Sequence, residues 1–199
     1  MDKSIVKMHA NQILSDYKIT DCPVKSLESV LQGENIELIF VNVESNSCGM
    51  FRIVDEEKKI YVNENMNTGR INFTIGHELG HYLLKHELKD FCELYGIERN
   101  INNEKDPQEK EANYFSACFL MPHRLYLQKF NELAREYKFK QDKAIKVEKG
   151  SADSLCLLKN VIFQLSSHFL VSKQAAFYRL KDVKLLSVYD EFDINELYY

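Results

Sequence analysis

The sequence lacks three features that would place it in other protein classes. No segment approaches the roughly 18 uninterrupted apolar residues of a membrane-spanning helix, and the first residues run into an amphipathic pattern rather than a signal peptide. The five cysteines are scattered without a Cys-x-x-Cys pair, so neither a disulfide framework nor a cysteine zinc ribbon is indicated. A net charge of −4 argues against general attraction to nucleic acid or anionic membranes. We therefore expect a cytoplasmic protein that does not bind membranes.

The composition is typical of an ordinary globular protein. Hydrophobic residues make up 45% of the chain and charged residues 28%, so the 199 residues can bury a sizeable core. A chain of this length accommodates one compact domain with an appendage, or two small domains.

The stretch from Phe73 to His86 contains the motif His77-Glu78-Leu79-Gly80-His81. In a helix, at about 100° per residue, its two histidines lie about 40° apart and one turn above each other. Their neutral ring nitrogens can bind zinc, and Glu78 at the edge of the same face can accept a proton from the water that zinc activates. The opposite face is apolar: Ile75, Leu79, Tyr82 and Leu83. The spacing predicts peptide hydrolysis, and the alternative is a pair of solvated histidines on an amphipathic helix.

Apolar periodicity and turn residues predict the elements around this motif. Three runs of β-branched and aromatic residues are expected to form a small antiparallel sheet: Glu37–Val43, Cys48–Val54 and Lys59–Asn63. Helices are predicted before and after the sheet in sequence: Ser4–Tyr17, Pro23–Leu31, Asn67–Lys85 and Asp106–Met121. If an edge strand borders the metal site, an extended substrate could pair with it through main-chain hydrogen bonds.

A catalytic zinc ion needs a third protein ligand. The candidates are His86, His123, His168 and the glutamates of the helix that begins at Asp106. On a continuous helix His86 would lie about 180° from His77, so we expect it to face away from the site.

Two glutamates of the later helix, Glu109 and Glu111, point about 160° apart. Glu109 completes a capping box with Asp106. Glu111 shares its face with Phe115 and Cys118, and a bound metal ion would offset the cost of burying its carboxylate. Residue geometry favours Glu111 as the ligand, and the alternative is a solvated or salt-bridged glutamate.

Peptide hydrolysis also requires a hydrogen-bond donor for the oxyanion of the tetrahedral intermediate. No spacing selects among the candidates of suitable type: Tyr114, His123, Tyr126 and Arg70.

Two segments together resemble the ImmA/IrrE family of zinc metallopeptidases. The first is Arg70-Ile-Asn-Phe73-Thr followed by the His77–His81 motif, and the second is Glu109-Lys-Glu111-Ala-Asn-Tyr-Phe115-Ser-Ala-Cys-Phe-Leu-Met121-Pro122. The resemblance spans roughly residues 49–122 and is weaker in the C-terminal third. It implies a gluzincin-like fold, with His77, His81 and Glu111 as zinc ligands and Glu78 as the catalytic glutamate. It further implies cleavage of a DNA-binding repressor.

The C-terminal part of the chain divides by composition. We predict a metallopeptidase domain over residues 1–137 and a lysine-rich linker over 138–150, which is expected to be solvated. Residues 151–183 are expected to form a helix-turn-helix-like module in which Ser172 caps the second helix. Residues 184–199 are an acidic, aromatic tail, with a frayed terminus as the default expectation.

The sequence thus predicts an α+β, zincin-like fold in which a small antiparallel sheet packs on helices. The expected cofactor is Zn2+, and the expected partner is a helix-turn-helix repressor that the protein cleaves to relieve repression. Overall acidity argues against direct DNA binding. Two alternatives remain: a non-catalytic antirepressor or DNA-binding regulator with a zincin-like scaffold, and a metallohydrolase that acts on something other than proteins.

Overall fold

The computed structural model describes residues 2–44, 48–87, 106–140 and 143–197. The α-helices in these residues are α1 (Lys3–Asp16), α2 (Leu27–Gly33), α3 (Thr68–Leu83), α4 (Pro107–Leu120), α5 (His123–Glu136), α6 (Ala152–Phe169) and α7 (Lys173–Asp182). The strands are β1 (Ile36–Val41), β2 (Gly49–Val54), β3 (Glu57–Asn63), β4 (Ile145–Lys146) and β5 (Leu186–Ser187). Short 3₁₀ helices cover Pro23–Ser26 and Ile194–Leu197. The mixture of helices with a small sheet confirms the predicted α+β class.

The main sheet has three strands in the order β1-β3-β2, as expected in number but not in direction. β2 and β3 form an antiparallel hairpin whose two-residue turn, Asp55–Glu56, has φ angles of 51° and 66°, as a type I′ turn requires. β1 lies on the other side of β3 and runs parallel to it. The prediction of a wholly antiparallel sheet was therefore wrong, because β1 pairs in parallel with β3 and not with β2, which precedes β3 in sequence.

Helix α3 carries the histidine motif and is well defined at both ends. Asn67 caps its first turn by accepting a hydrogen bond from the Arg70 amide at 3.0 Å. The helix ends at Leu83, and Lys85 then adopts a left-handed conformation with φ of 56°. The predicted helix was right in place but two residues too long at this end.

Helix α4 packs between α1 and α3. Asp106 caps it by accepting a hydrogen bond from the Gln108 amide at 2.9 Å, and the Ser116 hydroxyl donates to the Phe73 carbonyl of α3 at 2.9 Å. Phe115, in its middle, is completely buried at 0% exposure. Because two neighbouring helices cover α4, more than one of its faces is buried.

The two C-terminal helices meet at an angle of 105°, and Ser172 caps α7 by accepting from the Ala175 amide at 3.1 Å, as predicted. The buried face of α7 joins the main core. The Arg179 Nε donates to the Met121 carbonyl at 3.0 Å, and the Tyr126 hydroxyl donates to the Ala176 carbonyl at 2.7 Å. The division of the chain into two domains stays a prediction, and the structure shows that both parts contribute to one hydrophobic core.

The lysine-rich segment and the tail contain structure that the sequence analysis did not predict. β4, from the expected linker, pairs in parallel with β5, from the expected tail. Further along, the Phe192 ring stacks on Phe177 with centroids 5.8 Å apart, and Leu197 is buried. The tail therefore packs against the helical pair through residue 197.

Within the described ranges, no helix taken singly has the length and apolar character to cross a membrane, whereas α6 and α7 satisfy that criterion only when counted as one bent pair.

Candidate metal centre

The two motif histidines project from one face of α3, as their spacing predicts. The Nε2 atoms of His77 and His81 are 3.0 Å apart, and their rings meet edge to face. Two imidazole nitrogens therefore converge on one point beside the helix.

A carboxylate from α4 completes this group. The Glu109 Oε2 lies 3.3 Å from the His77 Nε2, and its Oε1 lies 3.6 Å from the His81 Nε2. Three ligand atoms that each bind a tetrahedral zinc ion at about 2.0–2.1 Å are about 3.3 Å from one another. The nitrogen–nitrogen distance of 3.0 Å and the shortest nitrogen–oxygen distance of 3.3 Å are close to this value. With one ligand atom taken from each residue, all separations are within 4.8 Å, so His77, His81 and Glu109 form a group that could hold a metal ion.

The second nitrogen of His77 also has a partner. The Asn113 Oδ1 lies 3.0 Å from the His77 Nδ1, so the ring carries its hydrogen on Nδ1 when Nε2 offers a lone pair. The sequence analysis did not single out Asn113. Its spacing of four residues from Glu109 places both on the same face of α4, which is the one signal that could have identified it.

Glu111, the third ligand expected from the sequence, lies elsewhere in the site. Its Oε2 is 3.2 Å from the Nε2 of His86, on the far side of His81 from Glu109. Its role as a ligand stays a prediction, and the distances favour Glu109.

His86 is placed differently from the helical-wheel expectation. Because α3 ends at Leu83 and the chain turns at Lys85, the His86 ring folds back toward the site. Its Nδ1 lies 3.0 Å from the Nδ1 of His81. The expectation that His86 faces away from the site was therefore wrong.

Glu78 is buried beside the metal-binding group, with 7% of its surface exposed. It lies against the start of β2, where a Cβ on Gly49 would come within 3.6 Å of its Oε1. Such a Cβ would also lie 2.5 Å from the Thr74 Cγ2 and 2.8 Å from the Tyr61 carbonyl oxygen. Only glycine allows β2 to approach α3 this closely, and the approach brings the strand to the candidate catalytic glutamate.

The site is electronegative. Burial alone would lower the pKa of His77, but the hydrogen bond to Glu109 and the charges of Glu78 and Glu109 together raise it above its ordinary value. The same negative charges that favour a proton on the His77 imidazole also favour a metal cation beside it.

The candidates for the oxyanion donor are dispersed. The Tyr126 hydroxyl is fully buried and committed to Ala176, which assigns it to packing. Tyr114 and His123 line a different pocket together with Arg179. Burial there raises the pKa of Tyr114 to about 12 and lowers the pKa of His123. The Arg70 Nη2 donates to the Cys48 thiol at 2.9 Å.

The chain matches a known protein family. The sequence model of the Peptidase M78 family, described as the IrrE N-terminal-like domain, matches residues 32–181. The chain belongs to the Peptidase M78 family. This confirms the resemblance to ImmA/IrrE proteins that the two motifs indicated, and membership supports a peptidase. Curated proteins give no significant match.

A similar solved structure is that of a Mycobacterium tuberculosis transcriptional regulator. It aligns with 89% of the M78 chain at 15% sequence identity and a TM-score of 0.54, which supports the fold alone. The M78 chain spans 46% of the length of that regulator.

Proposed function

We propose that this M78 protein is a zinc-dependent endopeptidase in which His77, His81 and Glu109 hold the metal ion and Glu78 is the general base. The observation that carries the proposal is the convergence of two imidazole nitrogens and one carboxylate. The Nε2 atoms of His77 and His81 are 3.0 Å apart, and the two oxygens of Glu109 lie 3.3 Å from the first and 3.6 Å from the second. A borderline-soft cation with tetrahedral preference suits this donor set, and three protein ligands leave a position open for catalysis.

When bound, zinc supplies Lewis-acid polarisation of the attacking water and of the substrate carbonyl. Glu78 takes the proton from that water and passes it to the leaving amine. Its burial and its closeness to His77, whose pKa its charge helps to raise, suit this role, since proton transfer needs a carboxylate held in place near the metal ion.

The proposed substrate is an extended peptide segment aligned on β2. In the described part of the chain, β2 is an edge of the three-stranded sheet, and its first residue lies beside Glu78. An edge strand offers free main-chain donors and acceptors, so a substrate can pair with it as an additional strand.

We further propose that the substrate is a DNA-binding transcriptional repressor, cut in an accessible loop or linker. Membership in the M78 family supports this choice, and the fold is shared with a Mycobacterium tuberculosis transcriptional regulator. A repressor substrate would place the reaction in the cytoplasm.

The test is incubation of the zinc-loaded protein with a candidate repressor, with the fragments mapped by mass spectrometry. Wild type should cleave at one region, and Glu78→Gln should keep about one zinc per chain while losing cleavage by at least about 10²-fold. Glu28→Gln, which neutralises an exposed glutamate on α2, is the matched control and should cleave like wild type. Cleavage retained by Glu78→Gln contradicts the mechanism.

A non-catalytic regulator is the second candidate, and the 105° angle between α6 and α7 favours it because helix-turn-helix units have similar angles. However, Ala176, Phe177, Arg179 and Leu180 of α7 are buried, so much of the helix that would read DNA faces the core. Zinc binding without cleavage of any repressor would support this candidate.

A further inference from the structure

We propose that His86 and Glu111 form a positioning pair that orients His81 for metal binding. The inference rests on the proposed metal site, and it assigns a role to two residues that the proposed mechanism does not use. It also gives a reason for the carboxylate of Glu111 at the start of an otherwise apolar face of α4.

The contacts form a continuous chain of polar atoms. The Nδ1 of His81 lies 3.0 Å from the Nδ1 of His86, and the Nε2 of His86 lies 3.2 Å from the Glu111 Oε2. The His86 side chain is 5% exposed, whereas that of Glu111 is 27% exposed. Both distances are those of hydrogen bonds, and the buried imidazole is satisfied at both of its nitrogens.

The direction of each hydrogen bond follows from the metal site. His81 must present a lone pair at Nε2, so its ring hydrogen is on Nδ1 and is donated to the His86 Nδ1. His86 then carries its own hydrogen on Nε2 and donates it to Glu111. Each ring hydrogen therefore has one allowed position. The series of hydrogen bonds ends at the charged carboxylate of Glu111, which strengthens the bond that His86 donates.

The backbone holds His86 in this place. The His86 amide donates to the His81 carbonyl at 3.0 Å, which closes the turn that follows α3. This turn requires Lys85 to adopt a φ of 56°, a region that is unfavourable for lysine.

The arrangement matches the one at the other histidine. The His77 Nδ1 contacts the Asn113 Oδ1 at 3.0 Å, just as the His81 Nδ1 contacts His86. Each motif histidine therefore has a dedicated partner on the nitrogen that points away from the metal-binding group. Loss of such a partner typically weakens metal binding about 10–100-fold.

The experiment compares two variants at position 86 in the Glu78→Gln background, which removes catalysis from the measurement. His86→Leu introduces an apolar side chain of similar bulk and removes both ring nitrogens. His86→Gln keeps one acceptor and one donor. Zinc affinity is measured by competition with a chelator, and the visible spectrum of the cobalt-substituted protein reports the geometry of the ligands. His168→Leu, on an exposed histidine of α6, is the matched control.

We expect His86→Leu to bind zinc about 10–100-fold more weakly and to change the cobalt spectrum, whereas His86→Gln should recover most of the affinity. An affinity of His86→Leu within about twofold of the control would overturn the proposal. Equal weakening by Leu and Gln would overturn it too, because the hydrogen bonds would then be irrelevant.

Glu111→Gln decides the matter if circular dichroism shows that His86→Leu does not fold. A loss of about 3–10-fold in zinc affinity supports a positioning role, since a neutral acceptor replaces a charged one. Unchanged affinity, or complete loss of zinc, contradicts it. The proposed metal site itself fails by a different result, namely a zinc affinity that Glu109→Gln leaves unchanged.

Discussion

Two glutamates of α4, two residues apart, provide a direct test of which carboxylate holds the metal ion. Glu109→Gln and Glu111→Gln both replace a carboxylate by an amide of the same shape. The two side chains are 24% and 27% exposed, so the variants differ little in the environment that they alter. They differ in what the carboxylate touches: Glu109 lies next to the Nε2 atoms of His77 and His81, and Glu111 lies next to the Nε2 of His86.

The expected magnitudes follow from these contacts. Structural zinc sites in small peptides bind with about 10–16 kcal/mol, or about 2.5–4 kcal/mol for each of four ligands. Loss of the Glu109 ligand should therefore weaken zinc binding about 10²–10³-fold. Glu111 acts through His86 and then His81, so its variant should lose about 3–10-fold in zinc affinity.

Chelator competition at constant pH and ionic strength measures both affinities, and thermal unfolding of the metal-free variants shows whether the fold is kept. The reasoning is refuted if Glu111→Gln loses more zinc affinity than Glu109→Gln. That result would restore Glu111 as the third ligand, as the sequence resemblance implies, and would require α4 to rotate when the metal binds.

Three further predictions concern the surroundings of the site. Gly49→Ala should destabilise the fold by about 1–3 kcal/mol and reduce cleavage, because its Cβ would lie 2.8 Å from the Tyr61 carbonyl; urea unfolding and the cleavage assay measure both effects. Tyr126→Phe should cost about 1 kcal/mol in urea unfolding through the lost bond to Ala176 and leave zinc affinity unchanged. Because the pKa of His77 is raised, protons compete with zinc for this side chain already above pH 6.5. When the pH is lowered in a series of measurements, zinc affinity should therefore begin to fall before pH 6.5 is reached. Without zinc, the raised pKa of His77 stabilises the folded chain below about pH 6.5, and this stability is lost as the pH rises through the pKa of the folded state. A zinc-free protein that becomes more stable as the pH rises through that range would contradict the assignment.

The histidine motif could be interpreted from the sequence because its geometry is local. His77, Glu78 and His81 lie within two turns of one helix, so the helical period alone fixes their relative directions. The caps at Asn67, Asp106 and Ser172 are local as well, since each side chain bonds an amide two or three residues along.

The third carboxylate could not be found in the same way. A helical wheel gives the angle between Glu109 and Glu111 but not which face of α4 meets α3. We expected the apolar face of α4 to point to the site. Both α1 and α3 cover α4, so an apolar face does not show which of these two helices it packs against. Glu109 was assigned only to capping, although a residue in the first turn of a helix can also reach a neighbouring helix.

The sequence by itself determined the pair of imidazoles, the adjacent glutamate, the family and the order of most elements. These depend on interactions between residues a few positions apart, which the helical and strand periods encode. The tertiary structure alone decided the parallel pairing of β1 with β3, the return of His86 to His81 and the meeting of Glu109 with both histidines. Each of these depends on how a helix ends or on which elements pack together, and that is settled by burial across the whole core rather than by any local period.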